Sequence, residues 1–144
     1  MSPLKKTIKA FSEDVYMLYN YTSVITESDG KFYAKVPDIN ACITTGKSFD
    51  EVISLITDAL NGCLTVLEDQ GIVPAAPTPQ SQIEHDADAT LTVIHADTIR
   101  YRAETDTRAV RKNVSLPAWM ATLADKRGIN CSKVLQDALL KSFS

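Results

Sequence analysis

Arg111, Asn113 and Ser115 occupy every second position of the run Val110–Leu116 (VRKNVSL). In an extended chain that spacing puts three side chains on one face. Arginine and asparagine form bidentate contacts with guanine and adenine edges in the DNA major groove, so such a face can read bases. Further on, Asn130-Cys131-Ser132-Lys133 opens a run of helical spacing. Asparagine is a good N-cap, and the amides and positive dipole end of a helix start suit a phosphate. A second chemistry, phosphodiester cleavage with two metal ions, needs several carboxylates. The candidates are Asp29, Asp38, Glu51 and Asp58. Each has a structural reading instead: Asp29 in a turn with Gly30, Asp38 after a proline, Glu51 in a capping box, Asp58 on the polar side of a helix. No catalytic residue and no metal ligand are therefore expected. His85 and His95 lie ten positions apart with no nucleophile beside them. The cysteines, Cys42, Cys63 and Cys131, form no CxxC pair, and two histidines are too few to complete an obvious zinc site. No cofactor is implied.

Several elements must position these residues. Tyr19–Thr26 and Lys31–Val36 are strand-like and flank Asp29-Gly30, a hairpin signal. Ala41–Thr45 is a short third strand closed by Gly46. Ser48 followed three residues later by Glu51 makes a capping box. From there Phe49, Val52, Ile53, Ile56, Leu60, Cys63, Leu64 and Leu67 follow helical spacing, with Leu55, Ala59 and Val66 widening the stripe. The helix runs to about Asp69, stops at Gly71, and lies across the antiparallel strands, which makes Cys63 a core residue. Pro74, Pro77 and Pro79 mark a loop over 71–89. Leu91–Ile94 is a fourth strand able to return to the sheet. Residues 97–107 are polar and weakly periodic, a linker with a helical turn. After the 110–116 strand, Pro117 opens a helix carrying Met120, Leu123 and Ala124 on one face. Gly128 ends it, and a second helix follows with Val134, Leu135, Ala138 and Leu139. Trp119, the single tryptophan, is expected in core packing or a dimer contact.

The chain of 144 residues is 44% hydrophobic and 23% charged, which excludes the disordered class. No apolar run has the length of a membrane span, and no secretory signal is read in the first 14 residues. With few cysteines, the expected compartment is the cytoplasm. Charge is unevenly spread. Residues 1–82 carry six Lys/Arg against ten Asp/Glu, residues 83–108 three against six, and residues 109–144 six against two. An acidic body is thus followed by a basic tail, an asymmetry that points to different partners at the two ends. One strand and two short helices in the tail cannot bury their apolar faces alone. Pairing two copies strand to strand solves this and doubles Arg111, Asn113 and Ser115 into a ribbon that fits the major groove.

The tail resembles the ribbon-helix-helix family. The resemblance is carried by Lys112-Asn113-Val114-Ser115-Leu116-Pro117 and by Gly128-Ile129-Asn130-Cys131-Ser132-Lys133-Val134-Leu135-Gln136-Asp137-Ala138-Leu139. Cys131 departs from the basic or polar residue many members have. The body resembles the HicB-type antitoxin domain, through Gly30-Lys31-Phe32-Tyr33-Ala34-Lys35-Val36-Pro37-Asp38, Cys42-Ile43-Thr44-Thr45-Gly46 and the capped helix. Val36 replaces a phenylalanine there, and Asn40-Ala41 the usual Pro-Gly. Residues 1–14 have no match.

Together the resemblances imply an α+β protein in three parts. Residues 1–97 (core about 19–97) are a partial RNase H-like, toxin-binding domain without nuclease activity. Residues 98–108 are a linker. Residues 109–144 are a ribbon-helix-helix domain that forms a homodimer, with a higher oligomer left open. The implied partners are a HicA-type mRNA-cleaving toxin and operator DNA, with no membrane. The DNA contacts expected are Arg111, Asn113 and Ser115 to bases and Asn130, Cys131, Ser132 and Lys133 to phosphate; the toxin-contacting residues are not assigned. Three alternatives stand beside this. One is a stand-alone ribbon-helix-helix repressor whose body senses a small molecule. Another is a tail that only dimerises. The third is a metal-dependent nuclease.

Overall fold

The computed structural model describes residues 18–143. Residues 1–14, and with them the expectation about a secretory signal, lie outside the described residues. Four strands form one antiparallel sheet in the order β3-β2-β1-β4: β1 (Leu18–Ser28), β2 (Lys31–Lys35), β3 (Ile43–Gly46) and β4 (Thr90–Asp97). The Asp-Gly signal is realised as a two-residue hairpin. Ser28 pairs with Lys31 across it, and Asp29 and Gly30 have φ of 53° and 74°. A type I′ turn requires positive φ at both positions. The fourth strand is longer than its apolar core Leu91–Ile94, because it pairs with β1 from Leu18↔Asp97 to Ile25↔Thr90.

Helix α1 (Phe49–Asp69) starts where the capping box sets it, with the Glu51 amide donating to Ser48 Oγ at 3.1 Å. It ends in a Schellman motif: Gly71, at φ 69°, donates to the Glu68 carbonyl and Ile72 to that of Leu67. Its inner row repeats every fourth residue. Val52, Ile56, Leu60 and Leu64 are fully buried against Tyr21, Ile25, Ala34, Val36, Ile94 and Ala96 of the sheet side. Burying each such side chain contributes roughly 1.5–3 kcal/mol. The expected stripe was too wide. Leu55 and Val66 are exposed, since one sheet covers only one side of the helix. Phe49 is also partly exposed, with its ring edge-on to Phe32 at 6.1 Å. Cys63 packs against the core from its margin.

Two backbone positions fix the crossing from sheet to helix. Gly46 lies so close to α1 that an added Cβ would come within 2.8 Å of the Val52 nitrogen. Ala41 holds φ at 62° in the turn between β2 and β3, a conformation glycine adopts far more readily. It is the position at which the resemblance led one to look for Gly.

The stretch 98–105, read as linker with a helical turn, is an eight-residue helix, α2 (Thr98–Thr105). Asp97 caps it, accepting from the Arg100 amide at 3.0 Å. The chain then divides into two compact units after Thr105. In the second unit, residues 106–117 have no regular structure. They are followed by α3 (Ala118–Lys126) and α4 (Cys131–Phe143).

Candidate functional site

In the second unit the alternation along 110–116 sorts side chains by face. Lys112, Val114 and Leu116 line a groove of about 450 Å³ together with Met120, Leu123 and Val134. Arg111, Asn113 and Ser115 do not line it and are exposed. Lys112, two positions before Val114, thus sits on the groove side, where its methylene stem can lie against apolar groups. Val110 is almost fully exposed and does not join them. Residues 110–116, expected as a strand, form no ladder within the single chain. Trp119 is 66% exposed; packing inside one copy of the tail is not its role.

The start of α4 is built as its sequence indicates. Helix α3 closes in a second Schellman motif, with Gly128 (φ 63°) donating to the Asp125 carbonyl and Ile129 to that of Ala124. Asn130 then caps α4: its Oδ1 accepts from the Lys133 amide at 3.1 Å, and its carbonyl accepts from Val134. Of the expected phosphate group, Cys131 and Ser132 stand exposed in the first turn. The Lys133 ammonium pairs with Asp137 at 3.3 Å, both well exposed, so the pair is weak and easily exchanged.

The four carboxylates weighed as metal ligands are not brought together. Asp29 is in the hairpin turn, and the Glu51 amide belongs to the α1 cap. Asp38 accepts from the Thr78 amide and hydroxyl at 2.8 and 2.6 Å, holding the proline-rich loop against the β2–β3 turn. Asp58 faces a groove beside α2. Among the described residues no three His, Cys, Asp or Glu side chains are placed to hold a metal ion. The histidines are engaged singly: Nδ1 of His85 donates to the Asp86 carbonyl and Nδ1 of His95 to Asn20 Oδ1. Burial first, and then the neighbouring Cys63 thiol, push the Cys42 thiol up to about 12. It stays protonated at neutral pH and is no nucleophile. Burial and Asp38 likewise raise Tyr21, whose hydroxyl donates to the Ala75 carbonyl.

One polar centre was missed. Glu68 has no exposed side-chain surface. Its Oε2 accepts from the Tyr19 and Thr98 hydroxyls, each at 2.8 Å, and its Oε1 from Arg102 at 3.1 Å. Arg102 reaches Asp69 as well, at 2.9 Å. A buried carboxylate is tolerated only when satisfied in this way, and the network fastens α2 to the last turn of α1. The signal was present: position 68 continues the buried row 52, 56, 60, 64.

A depression of about 1000 Å³ on the sheet is lined by residues such as Tyr33, Lys35, Ile43, Glu84, His85 and Asp86. Tyr33 and Ile43 remain 42% and 69% exposed. This is a mixed-charge surface, unlike the apolar enclosure a small-molecule sensor needs. Among the described residues no helix is long and apolar enough to cross a membrane.

Comparison with known proteins agrees with this architecture. The solved structure of a toxin–antitoxin complex from Streptococcus pneumoniae is similar with a TM-score of 0.56 at 18% identity, covering 87% of this chain and 99% of that one. The crystal structure of the Burkholderia pseudomallei antitoxin HicB gives 0.50 at 21% identity, covering 88% and 99%. At such identities the likeness is one of fold: a mixed α+β chain with a four-stranded antiparallel sheet. A search of curated protein sequences gives no match. The model of the HicB-like antitoxins of bacterial toxin–antitoxin systems matches residues 21–137, a span that begins in β1 and ends in α4. The chain therefore belongs to the HicB-like antitoxin family.

Proposed function

We propose that this chain neutralises a HicA-type, mRNA-cleaving toxin with its first unit and represses its own operon with its second. In this reading residues 1–97, a partial RNase H-like domain without catalytic groups, cover the toxin. Residues 109–144 form a ribbon-helix-helix with a second copy. Arg111, Asn113 and Ser115 read operator bases, and the α4 start from Asn130 to Lys133 holds phosphate. The protein works in the cytoplasm without a cofactor. The observation that carries the DNA half is the face sorting of residues 111–116: the apolar side turns to the groove while the base-reading types turn out. Family membership and the acidic body, suited to a basic RNA-binding partner, support the toxin half.

Affinity capture from the native host tests the first half. The expected catch is a basic protein of under about a hundred residues that is toxic alone and harmless with this chain. Operator binding tests the second. Arg111→Ala should cost roughly 1–3 kcal/mol and relax sequence preference. An equal loss on operator and random DNA would make Arg111 a phosphate contact. Affinity should also fall steeply with salt. A ligand-sensing repressor remains the alternative if the chain is captured alone.

A further inference from the structure

Between α1, α2 and the end of β4 lies a groove of about 280 Å³, lined by Ser54, Asp58, Asn61 and Asp97 with Arg100 and Tyr101 at its α2 side. Ser54, Asp58 and Asn61 come one turn apart, at i, i+4 and i+7, and so share one face of α1. What distinguishes the groove is its unpaired acceptors. Two of its nitrogen donors are engaged: Arg100 Nε is bound to Glu104 at 2.9 Å, and His95 Nδ1 is given to Asn20. Among the described residues Asp58 has no partner, and one oxygen of Asp97 is committed to the α2 cap. Asn61 is 91% buried, with 9% of its surface exposed. Its amide nitrogen donates to the Thr57 carbonyl at 3.0 Å, which fixes the amide orientation, since that carbonyl only accepts. Its Oδ1 is then left buried without a partner. An unpaired buried carbonyl is costly, so a donor brought to it is favoured.

We infer that this groove receives an arginine side chain of the protein partner, which supplies the donors that Asp58 and Asn61 lack. Counting Asp58, Asp97 and Glu104 against Arg100, the lining carries a net negative charge. A guanidinium offers five donors in one plane, suited to several acceptors at once, where an ammonium offers three on a point. The acceptors are not gathered as metal ligands. The volume suits one side chain better than a drug-sized ligand, and arginine is among the usual anchors of protein interfaces. The identity of the partner as a basic, RNA-cleaving toxin rests on the function proposed above. The chemistry of the groove does not.

The full chain, labelled with ¹⁵N, would be titrated with Nα-acetyl-arginine methylamide and, separately, with the lysine analogue. The expected result is a saturable shift of the Asn61 side-chain amide and of neighbouring α1 and α2 resonances, tighter for arginine. Asp58→Lys, at an exposed position, should weaken it about tenfold or more, the worth of one charged hydrogen bond; Asp58→Asn should do so less, with thermal unfolding unchanged in both. A flat titration, as when Asn61 only holds a water, or equal shifts in Asp58→Lys, would overturn the assignment. The same variant in the host capture separates the two ideas. If the wild type captures a basic protein and Asp58→Lys does not, the groove is its anchor. If both capture it equally, the anchor is refuted and the antitoxin function stands. If neither captures anything, the antitoxin function fails, and the arginine titration still decides the groove.

Discussion

In the unit ending at Thr105, Val52, Ile56, Leu60 and Leu64 are fully buried within one copy of the chain. In the unit beginning at Asp106, Ala124 alone among the described residues is buried, while Val114, Leu116, Met120, Leu123, Ile129 and Val134 are each more than a third exposed. Both units carry amphipathic helices with sound caps, and both use the same Schellman ending. The difference lies in what the apolar face meets. Local signals suffice to shape a helix, but they do not supply a core, and 39 residues do not contain enough apolar surface to make one. The exposed apolar side of the tail is what supports a second copy as its natural cover.

Leu60→Ala tests the self-sufficiency of the first unit most severely. It should cost about 2–5 kcal/mol in urea unfolding followed by signals from the sheet. A loss below about 1 kcal/mol would mean that this unit, too, borrows its core. Arg102→Met leaves the Glu68 carboxylate buried without its counter-charge, and should cost about 3 kcal/mol in the same measurement. Ala41→Gly should go the other way. It relieves a positive φ and is expected to stabilise by about 1 kcal/mol, a rise in Tm of several degrees. Val114→Asp should leave unfolding of the first unit within about 0.5 kcal/mol of wild type. In sedimentation it should nevertheless shift the protein from dimer towards monomer. An unchanged mass would remove the tail as the seat of pairing.

Much of the first unit was legible because its signals are local. Asp29-Gly30 fixes the hairpin, and Ser48 with Glu51 fixes where α1 begins. Helix α2 was legible only as a helical turn within a linker. Its sequence, TIRYRAET, has hardly any apolar stripe, and what holds it is a carboxylate 30 residues away, a tertiary term that propensity does not contain. Leu55 and Val66 were assigned to the core because spacing alone cannot say how much of a helix its neighbour covers. In the tail, Asn130 as the α4 cap follows directly from residue type. The groove beside Asp58 was missed because its significance comes from an unpaired atom on Asn61, and pairing is not written in sequence spacing.

The Glu68 network also sets how the first unit opens. A polar helix of eight residues has almost no stability of its own in water. It persists because Thr98 and Arg102 share one carboxylate with Tyr19. Releasing α2 alone would strip that buried charge of two of its three partners. The last turn of α1, the start of β1 and all of α2 are thereby joined into one cooperative opening unit. Their amides should exchange with solvent on a common timescale, slower for α2 than its length and composition would allow.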